Sequence, residues 1–295
     1  MKHPYTRALF NASTHRVVMP DVIASGTLLS VDSVFRTYSL PRNGILGSRP
    51  NFNALDNVDF HIGHGERVGL VGESGCGKST LTRAILGVED VQSGQITLDG
   101  EPVFSGNKPN LDVRRKMQVV FQDPYSSFNP RHRVDRLIAE PLHVLENPPV
   151  GKLKDLAILK ALEDVGLMGS DAKKFIHEFS GGQRQRIAIA RALIIEPELI
   201  IFDEAVSALD VSVRAQVLDL ISELCQQRSL AYLFISHDLS VVRSVTDRVM
   251  IMRAGKIVEH GETEKVFTNP QNAYTKTLIA AAPRLPEAIY AIEPV

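Results

Sequence analysis

The 295-residue sequence predicts an α/β fold organised on a parallel sheet. Two patterns predict it. Short continuous apolar runs, Leu199-Ile-Ile-Phe202 ahead of Asp203 and Tyr232-Leu-Phe-Ile235 ahead of Ser236, suit strands buried on both faces. Helical spacing alternates with them, at Leu156, Leu159, Leu162 and Val165 and again at Val213, Val217, Leu220, Ile221 and Leu224. Strands that alternate with helices build βαβ units.

In chain order, strands are predicted at 55–62, 67–71, 95–98, 116–121, 199–202, 232–235 and 248–252, with helices at 80–86 and 183–194 besides the two just named. The stretch 124–195 carries the helical pattern and no convincing strand, and Pro130, Pro141, Pro148 and Pro149 punctuate it. It reads as a helical subdomain inserted into a sheet core made of 27–123 and 196–260. The last strand turns at Ala254-Gly255 into a partner at 256–260, a hairpin. A C-terminal extension of weak periodicity, 261–295, follows. Residues 1–26 read as the tail of a preceding unit, because His3-Pro-Tyr-Thr-Arg-Ala-Leu-Phe-Asn-Ala12 aligns with Asn272-Ala-Tyr-Thr-Lys-Thr-Leu-Ile-Ala-Ala281. That repeat raises the expectation of a longer tandem protein.

Composition narrows the class. The 33 Lys+Arg balance 34 Asp+Glu without a like-charge block, so no nucleic-acid partner is expected. The densest basic stretch, 184–191, reads as the exposed face of one amphipathic helix. No apolar run approaches the ~20 residues of a membrane helix, and no secretory leader is read at the N-terminus. Any membrane role is therefore expected to come through a partner. The two cysteines, Cys76 and Cys225, are far apart in sequence and fit a reducing cytoplasm better than a disulfide framework.

Two anion seats carry the chemistry. Gly72-Glu73-Ser74-Gly75-Cys76-Gly77-Lys78-Ser79, continued by Thr80, fits G-x-x-x-x-G-K-[ST] between a predicted strand and helix. Its backbone N–H groups cradle phosphates, Lys78 reaches the β/γ oxygens and Ser79 offers its hydroxyl to Mg²⁺. This spacing alone points to a nucleoside triphosphatase that uses Mg²⁺. Beside Lys78 and a helix N-terminus, the Cys76 thiol is expected to be acidified and open to alkylation, with MgATP protecting it. The second seat is Phe179-Ser180-Gly181-Gly182-Gln183, at the N-terminus of the helix that follows.

This pairing resembles the ATP-binding cassette of the ABC ATPases, with 72–79 as Walker A and 179–183 as the signature motif usually written LSGGQ. The resemblance implies the ABC ATPase architecture, a P-loop core with an antiparallel β subdomain and an inserted helical subdomain. It implies that Ser180, Gly181, Gly182 and Gln183 serve the ATP of an opposite subunit, so that a second cassette is a partner. It also implies further roles. Asp203 would hold Mg²⁺, Glu204 would polarise the attacking water, and Asp210 in Ser207-Ala-Leu-Asp210 would belong to the D-loop. His237 would be the switch histidine at the γ-phosphate, Gln122 the Q-loop residue that reaches Mg²⁺, and Tyr38 the aromatic stacked on adenine, with Phe35 as its rival.

The Q-loop continuation Gln122-Asp-Pro-Tyr-Ser-Ser-Phe-Asn-Pro-Arg131 and the tail Asn269-Pro-Gln-Asn-Ala-Tyr-Thr-Lys-Thr-Leu278 resemble the ATPase subunits of oligopeptide, dipeptide and nickel importers. The resemblance implies hydrolysis coupled to uptake. The partners would be a membrane permease and, indirectly, a periplasmic or extracellular solute-binding protein, with the chain peripheral on the cytoplasmic face. With no Cys after Cys225, the tail lacks the cysteine cluster of some relatives. A soluble non-transport ABC ATPase is the alternative. A non-hydrolysing regulatory cassette would be expected to lack Glu204 or His237.

Overall fold

A computed structural model describes residues 17, 19, 25–40, 49–106, 108–123 and 126–282. The first ten-residue copy of the end repeat lies outside them. The chain opens with β1 (Ser25–Ser39) and β2 (Asn51–His64), then β3 (Arg67–Val71), α1 (Lys78–Ile85), β4 (Ser93–Leu98), β5 (Glu101–Pro102), and the two-residue strands β6 (Phe104–Ser105) and β7 (Lys108–Pro109). It continues through α2 (Leu111–Arg115) and β8 (Met117–Phe121) to α3 (Val134–Ile138), α4 (Lys152–Asp164) and α5 (Gly181–Leu193). Next come β9 (Leu199–Asp203), α6 (Val211–Arg228), β10 (Ala231–Ile235), α7 (Leu239–Val245), β11 (Arg248–Arg253), β12 (Lys256–Glu262), α8 (Thr263–Thr268) and α9 (Ala273–Ala281).

One sheet has the order β12-β11-β3-β10-β9-β8; the other, β2-β1-β4-β5, is antiparallel. In the first sheet every neighbouring pair from β11 to β8 is parallel, and only β12 runs against its neighbour. Its central strands explain the unbroken apolar runs: all five residues of β3 and of β10 are buried, as are the first four of β9. The rings of Phe202, Tyr232 and Phe234 pack with centroids 5.6 to 6.4 Å apart. Each such side chain contributes about 1.5–3 kcal/mol on burial. Because the strands are parallel, the carboxyl ends of β3, β10, β9 and β8 share one edge, with Leu70 opposite Ile235, and Asp203 between Ile235 and Phe121. In open parallel sheets that edge is where ligands bind.

Arg67 anchors the opposite end of β3. Its guanidinium, 2% exposed, donates two hydrogen bonds to Asp247, at 2.6 and 2.7 Å, just ahead of β11. A buried charge held in a bidentate pair is expensive to unpair, by about 3–5 kcal/mol.

Three sequence expectations need correction. The strand β1 has no counterpart among the predicted ones, because its alternation is broken: register shifts against β2 run from Ser25/Thr27 to Arg36/Thr37, and Ser33, within the shift at Val31/Val34, has a φ of 47°. The buried face of α4 is Ile158, Ala161 and Leu162, continued by Val165, whereas Leu156 is 61% exposed. The basic run after the signature is no solvated face. Arg184 donates to Ile176 O (3.2 Å), Arg186 to Val165 O (2.7 Å) and Arg191 to Ser127 O (3.0 Å), so three guanidinium groups tie the helix to neighbouring loops. The weakly periodic tail also forms α8 and α9.

Between β8 and β9 the described residues hold helices, 3₁₀ turns and one isolated bridge, Arg133 with Phe175. The hairpin turn lies where expected, with φ of 47° at Ala254 and 82° at Gly255.

Candidate functional site

The site grows from the turn between β3 and α1. Gly77 takes a φ of 117°, and a Cβ there would stand 2.2 Å from Ala54 O, so a side chain is excluded by conformation and by space. Cys76 O accepts from Gly255 N–H (2.8 Å), which braces the turn against the hairpin of β11 and β12. Lys78 is 7% exposed and its ammonium donates to Gly72 O (2.7 Å) and Glu73 O (3.0 Å), closing the loop on itself. A cavity of about 150 Å³ is lined by Ser74, Gly75, Gly77, Lys78, Ser79, Thr80, Asp203 and Glu204. An adjoining one of about 450 Å³ shares Ser74, Ser79, Asp203 and Glu204 and adds Phe121, Gln122, Asp123, Ser126 and Ser127. The turn, the two carboxylates and the glutamine after β8 therefore meet at one edge of the sheet, as the parallel topology requires.

The two carboxylates have different surroundings. Burial, reinforced by the charge of Glu204, raises the Asp203 pKa above the usual carboxylate range, against the pull of Lys78 and Arg83. Such a group gains from a nearby cation. Glu204 stands in the left-handed region, φ 51°, where its N–H donates to Ile235 O (2.8 Å) and its carbonyl accepts from Ser207 N–H (3.0 Å) and Ser207 Oγ (2.8 Å). Its carboxylate lies 3.3 Å from His237 Nδ1. The end of β10 thus aims an exposed imidazole at the carboxylate leaving β9.

The residues fit a magnesium nucleotide. The turn offers backbone N–H groups where a side chain is sterically forbidden. Ser79 and Asp203 line the cavity with oxygen groups that would serve as ligands, with Gln122 on the adjoining wall. No cluster of three His, Cys, Asp or Glu able to hold a metal occurs among the described residues. A sparse oxygen set suits Mg²⁺, which keeps waters and takes phosphate oxygens in place of an all-protein cage.

The second anion seat lies elsewhere, since none of Ser180, Gly181, Gly182 and Gln183 lines either cavity. Ser180 caps α5: its hydroxyl accepts from Gln183 N–H (3.3 Å) while Gln183 Oε1 accepts from Ser180 N–H (3.0 Å), a capping box. Phe179 is buried, with Lys174 over its ring at 5.7 Å. The two glycines differ. A Cβ on Gly182 would come within 2.2 Å of Val213 Cγ1, so this glycine lets α5 rest on α6, while Gly181 is exposed. Asp210 caps α6 by accepting from Val213 N–H (3.0 Å).

Two expected ligand contacts read differently in the structure. The Tyr38 hydroxyl donates to Glu89 (2.7 Å), Arg36 lies over the ring at 5.1 Å, and Tyr38 lines neither cavity. Cys76 is buried, and burial raises its thiol pKa; Lys78 pulls the other way but does not prevail. The thiol pKa therefore moves in the opposite direction to the expected acidification.

Sequence reading missed one contributor from far along the chain. Tyr274 in α9 accepts at its hydroxyl from Glu73 N–H (3.3 Å), beneath Arg253 at 4.7 Å from its ring. Its sequence signals were its place in the end repeat and in the tail 269–278, neither of which pointed to the phosphate turn.

Comparison with known proteins identifies the family. Residues 55–207 match the family model described as ABC transporter, and 258–293 match that of the oligopeptide/dipeptide transporter C-terminal region. The chain is 44% identical over 251 residues to the dipeptide transport ATP-binding protein DppF of Haemophilus influenzae, covering 85% of this chain and 76% of that protein. It is 47% identical over 244 residues to the oligopeptide transport ATP-binding protein OppF of Bacillus subtilis, covering 82% and 80%. Among solved structures it superposes on the ATP-binding cassette MJ0796, a dimer in a post-hydrolysis state bound to ADP and Pi, with TM-score 0.68 and 26% identity over 80% of this chain and 99% of that one.

Proposed function

The chain belongs to the ABC transporter ATP-binding proteins, and we propose that it is the ATP-hydrolysing subunit of an importer for peptides or related solutes. The observation that carries this reading is the meeting of Lys78, Ser79, Asp203 and Glu204 in one cavity, with His237 3.3 Å from Glu204. The C-terminal match and the names of the relatives support peptides as cargo.

In this reading the turn 72–79 binds the phosphates through backbone N–H groups, and the Lys78 ammonium exchanges its carbonyl partners for β/γ oxygens. Ser79 and Asp203 would hold Mg²⁺, with Gln122 reaching it from the end of β8, and the ion would supply neutralisation of the phosphate charge. Glu204 orients and polarises the attacking water, and His237 holds the γ-phosphate side of the pocket. Ser180 through Gln183 close on the nucleotide of a second cassette, which the separation of this segment from the turn supports. Residues 27–123 and 196–260 form the core, 124–195 the helical subdomain and 261–295 the extension. Tyr38 stays the weakest member of the site, since Arg36 occupies one face of its ring.

None of the described helices is long and apolar enough to cross a membrane. Transport then requires permease subunits, on whose cytoplasmic side the chain sits, with an extracytoplasmic binding protein acting indirectly. The deciding experiment reconstitutes the chain with its permease in vesicles. ATP-dependent peptide uptake that stops in the Glu204→Gln variant is the expected result. Hydrolysis that never responds to a permease would count against import.

A further inference from the structure

Six residues, 209 to 214, connect the signature helix to the hydrolytic pair, and Arg214 is the link between them. It lies in the first turn of α6. Its Nη1 donates to Asp238 Oδ2 at 2.7 Å and its Nη2 to Leu209 O at 3.4 Å, with the two charged side chains 24% and 30% exposed. Asp238 is the residue after His237, and its carboxylate is divided between two tasks. Oδ1 caps α7, accepting from Ser240 N–H (3.0 Å), Ser240 Oγ (2.6 Å) and Val241 N–H (3.4 Å), whereas Oδ2 is held by Arg214. His237 is 62% exposed, and the one polar side-chain contact among the described residues is Glu204. Its position is therefore set largely by the backbone on either side, and Asp238 is one of those sides.

The same six residues rest on the signature. Val213 fills the space that a Cβ on Gly182 would need, and Leu209 Cδ2 lies 3.8 Å from where a Cβ on Gly181 would stand. A displacement of the N-terminus of α5 must be taken up by Leu209 and Val213. These flank Arg214 in the structure, one through its carbonyl and the other through the chain. We propose that Arg214 is a positioning residue for hydrolysis: from the turn seated on the signature helix it holds Asp238, and through it His237, against Glu204. This rests on the hydrolytic roles proposed for Glu204 and His237. It gives a route by which closure of the signature on one nucleotide alters the geometry at the chain's own carboxylate, through one ion pair and one peptide unit.

The test uses the purified full chain and three readouts: steady-state MgATP hydrolysis, binding of a fluorescent ATP analogue, and thermal midpoint. Arg214→Met is expected to lower kcat about tenfold or more while the analogue binds within about twofold of wild type. Arg214→Lys keeps a cation for Asp238 and is expected to recover most of the loss. Asp238→Asn keeps an oxygen for the α7 cap but loses the ion pair, and should match Arg214→Met. The double variant should be no worse than either single one, because both remove the same interaction. Wild-type turnover in Arg214→Met, or a double variant whose loss is the product of the two, would overturn the proposal. Should Arg214→Met not fold, Asp238→Asn decides: normal turnover overturns the proposal, and lost turnover with retained binding supports it. Glu204→Gln run alongside separates the two levels. Active Glu204→Gln removes the underlying reading, whereas inactive Glu204→Gln with fully active Arg214→Met removes only the role of Arg214.

Discussion

His237 Nδ1 and Glu204 Oε2 stand 3.3 Å apart across the carboxyl ends of β10 and β9. Glu204 is kept in the left-handed region by hydrogen bonds from its N–H to Ile235 O and from Ser207 to its carbonyl. Holding a non-glycine residue there costs of order 1–3 kcal/mol, and surrounding bonds must over-determine it. The conformation directs the carboxylate towards the phosphate-binding turn.

Replacing that carboxylate by an amide is therefore expected to spare binding and stop chemistry. Glu204→Gln should bind the ATP analogue within a few-fold of wild type, yet hydrolyse ATP roughly 10²–10⁴-fold more slowly, the range of a lost general base. Paired measurements of equilibrium binding and phosphate release check this. A fall in both together would point to a structural role.

Gly77→Ala should weaken nucleotide binding strongly without unfolding the sheet. The new Cβ would stand 2.2 Å from Ala54 O, at a φ of 117° that an L side chain avoids, so the turn has to move. An ATP affinity lower by about 100-fold, roughly 2.7 kcal/mol, is expected with a far-ultraviolet spectrum like wild type. Tight binding in this variant would mean that the turn is not the phosphate seat.

The parallel core could be read from the sequence because its strands are covered on both faces, which leaves apolar runs at 67–71, 199–202 and 232–235. The phosphate turn, Asp203 with Glu204, and His237 could be read because each follows such a run. The antiparallel β1 could not, since the break at Ser33 moves the side-chain alternation out of phase. Nor could the partners of individual side chains. Proximity to Lys78 in sequence foretold an acidified Cys76, but the thiol's burial outweighs the nearby charge. Arg186 and Arg191 read as surface charge, yet each is engaged by a carbonyl from a loop 21 or 64 residues away in sequence. Tyr274 reaches Glu73 across 201 residues, a distance that no local pattern encodes.

Asp203 provides a pH test. Its raised pKa means that the folded chain holds its proton more tightly than the unfolded chain. Between the usual 3.8 and the raised value the native state binds more protons, so stability falls as pH rises through that window and the penalty is complete above it. Asp203→Asn removes the penalty. It should raise the thermal midpoint of the ligand-free chain at neutral pH, and the gain should shrink as pH falls towards 3.8. The same variant should lose the extra stabilisation that MgATP gives over ATP in chelator, because its cation ligand is gone. Scanning fluorimetry over pH, with and without Mg²⁺, reads both. A lower midpoint together with an intact Mg²⁺ increment would remove Asp203 from the metal site.

Cys76 tests burial against proximity. Lys78 Nζ lies 4.0 Å from the sulfur, which by itself would stabilise a thiolate, yet burial outweighs it and the thiol pKa is raised. The nucleophile is the thiolate, so the native chain at neutral pH should react with a maleimide more slowly than a free thiol does, and faster as pH climbs. Cys225 offers no competing signal, since burial pushes its thiol up to about 12. Mass spectrometry should find both cysteines unlabelled in the folded chain under conditions that label both in urea. Cys76→Ala should turn over ATP like wild type, because the backbone N–H at this position survives the change. Rapid labelling of Cys76 that MgATP blocks would show that charge prevails over burial in the turn after all.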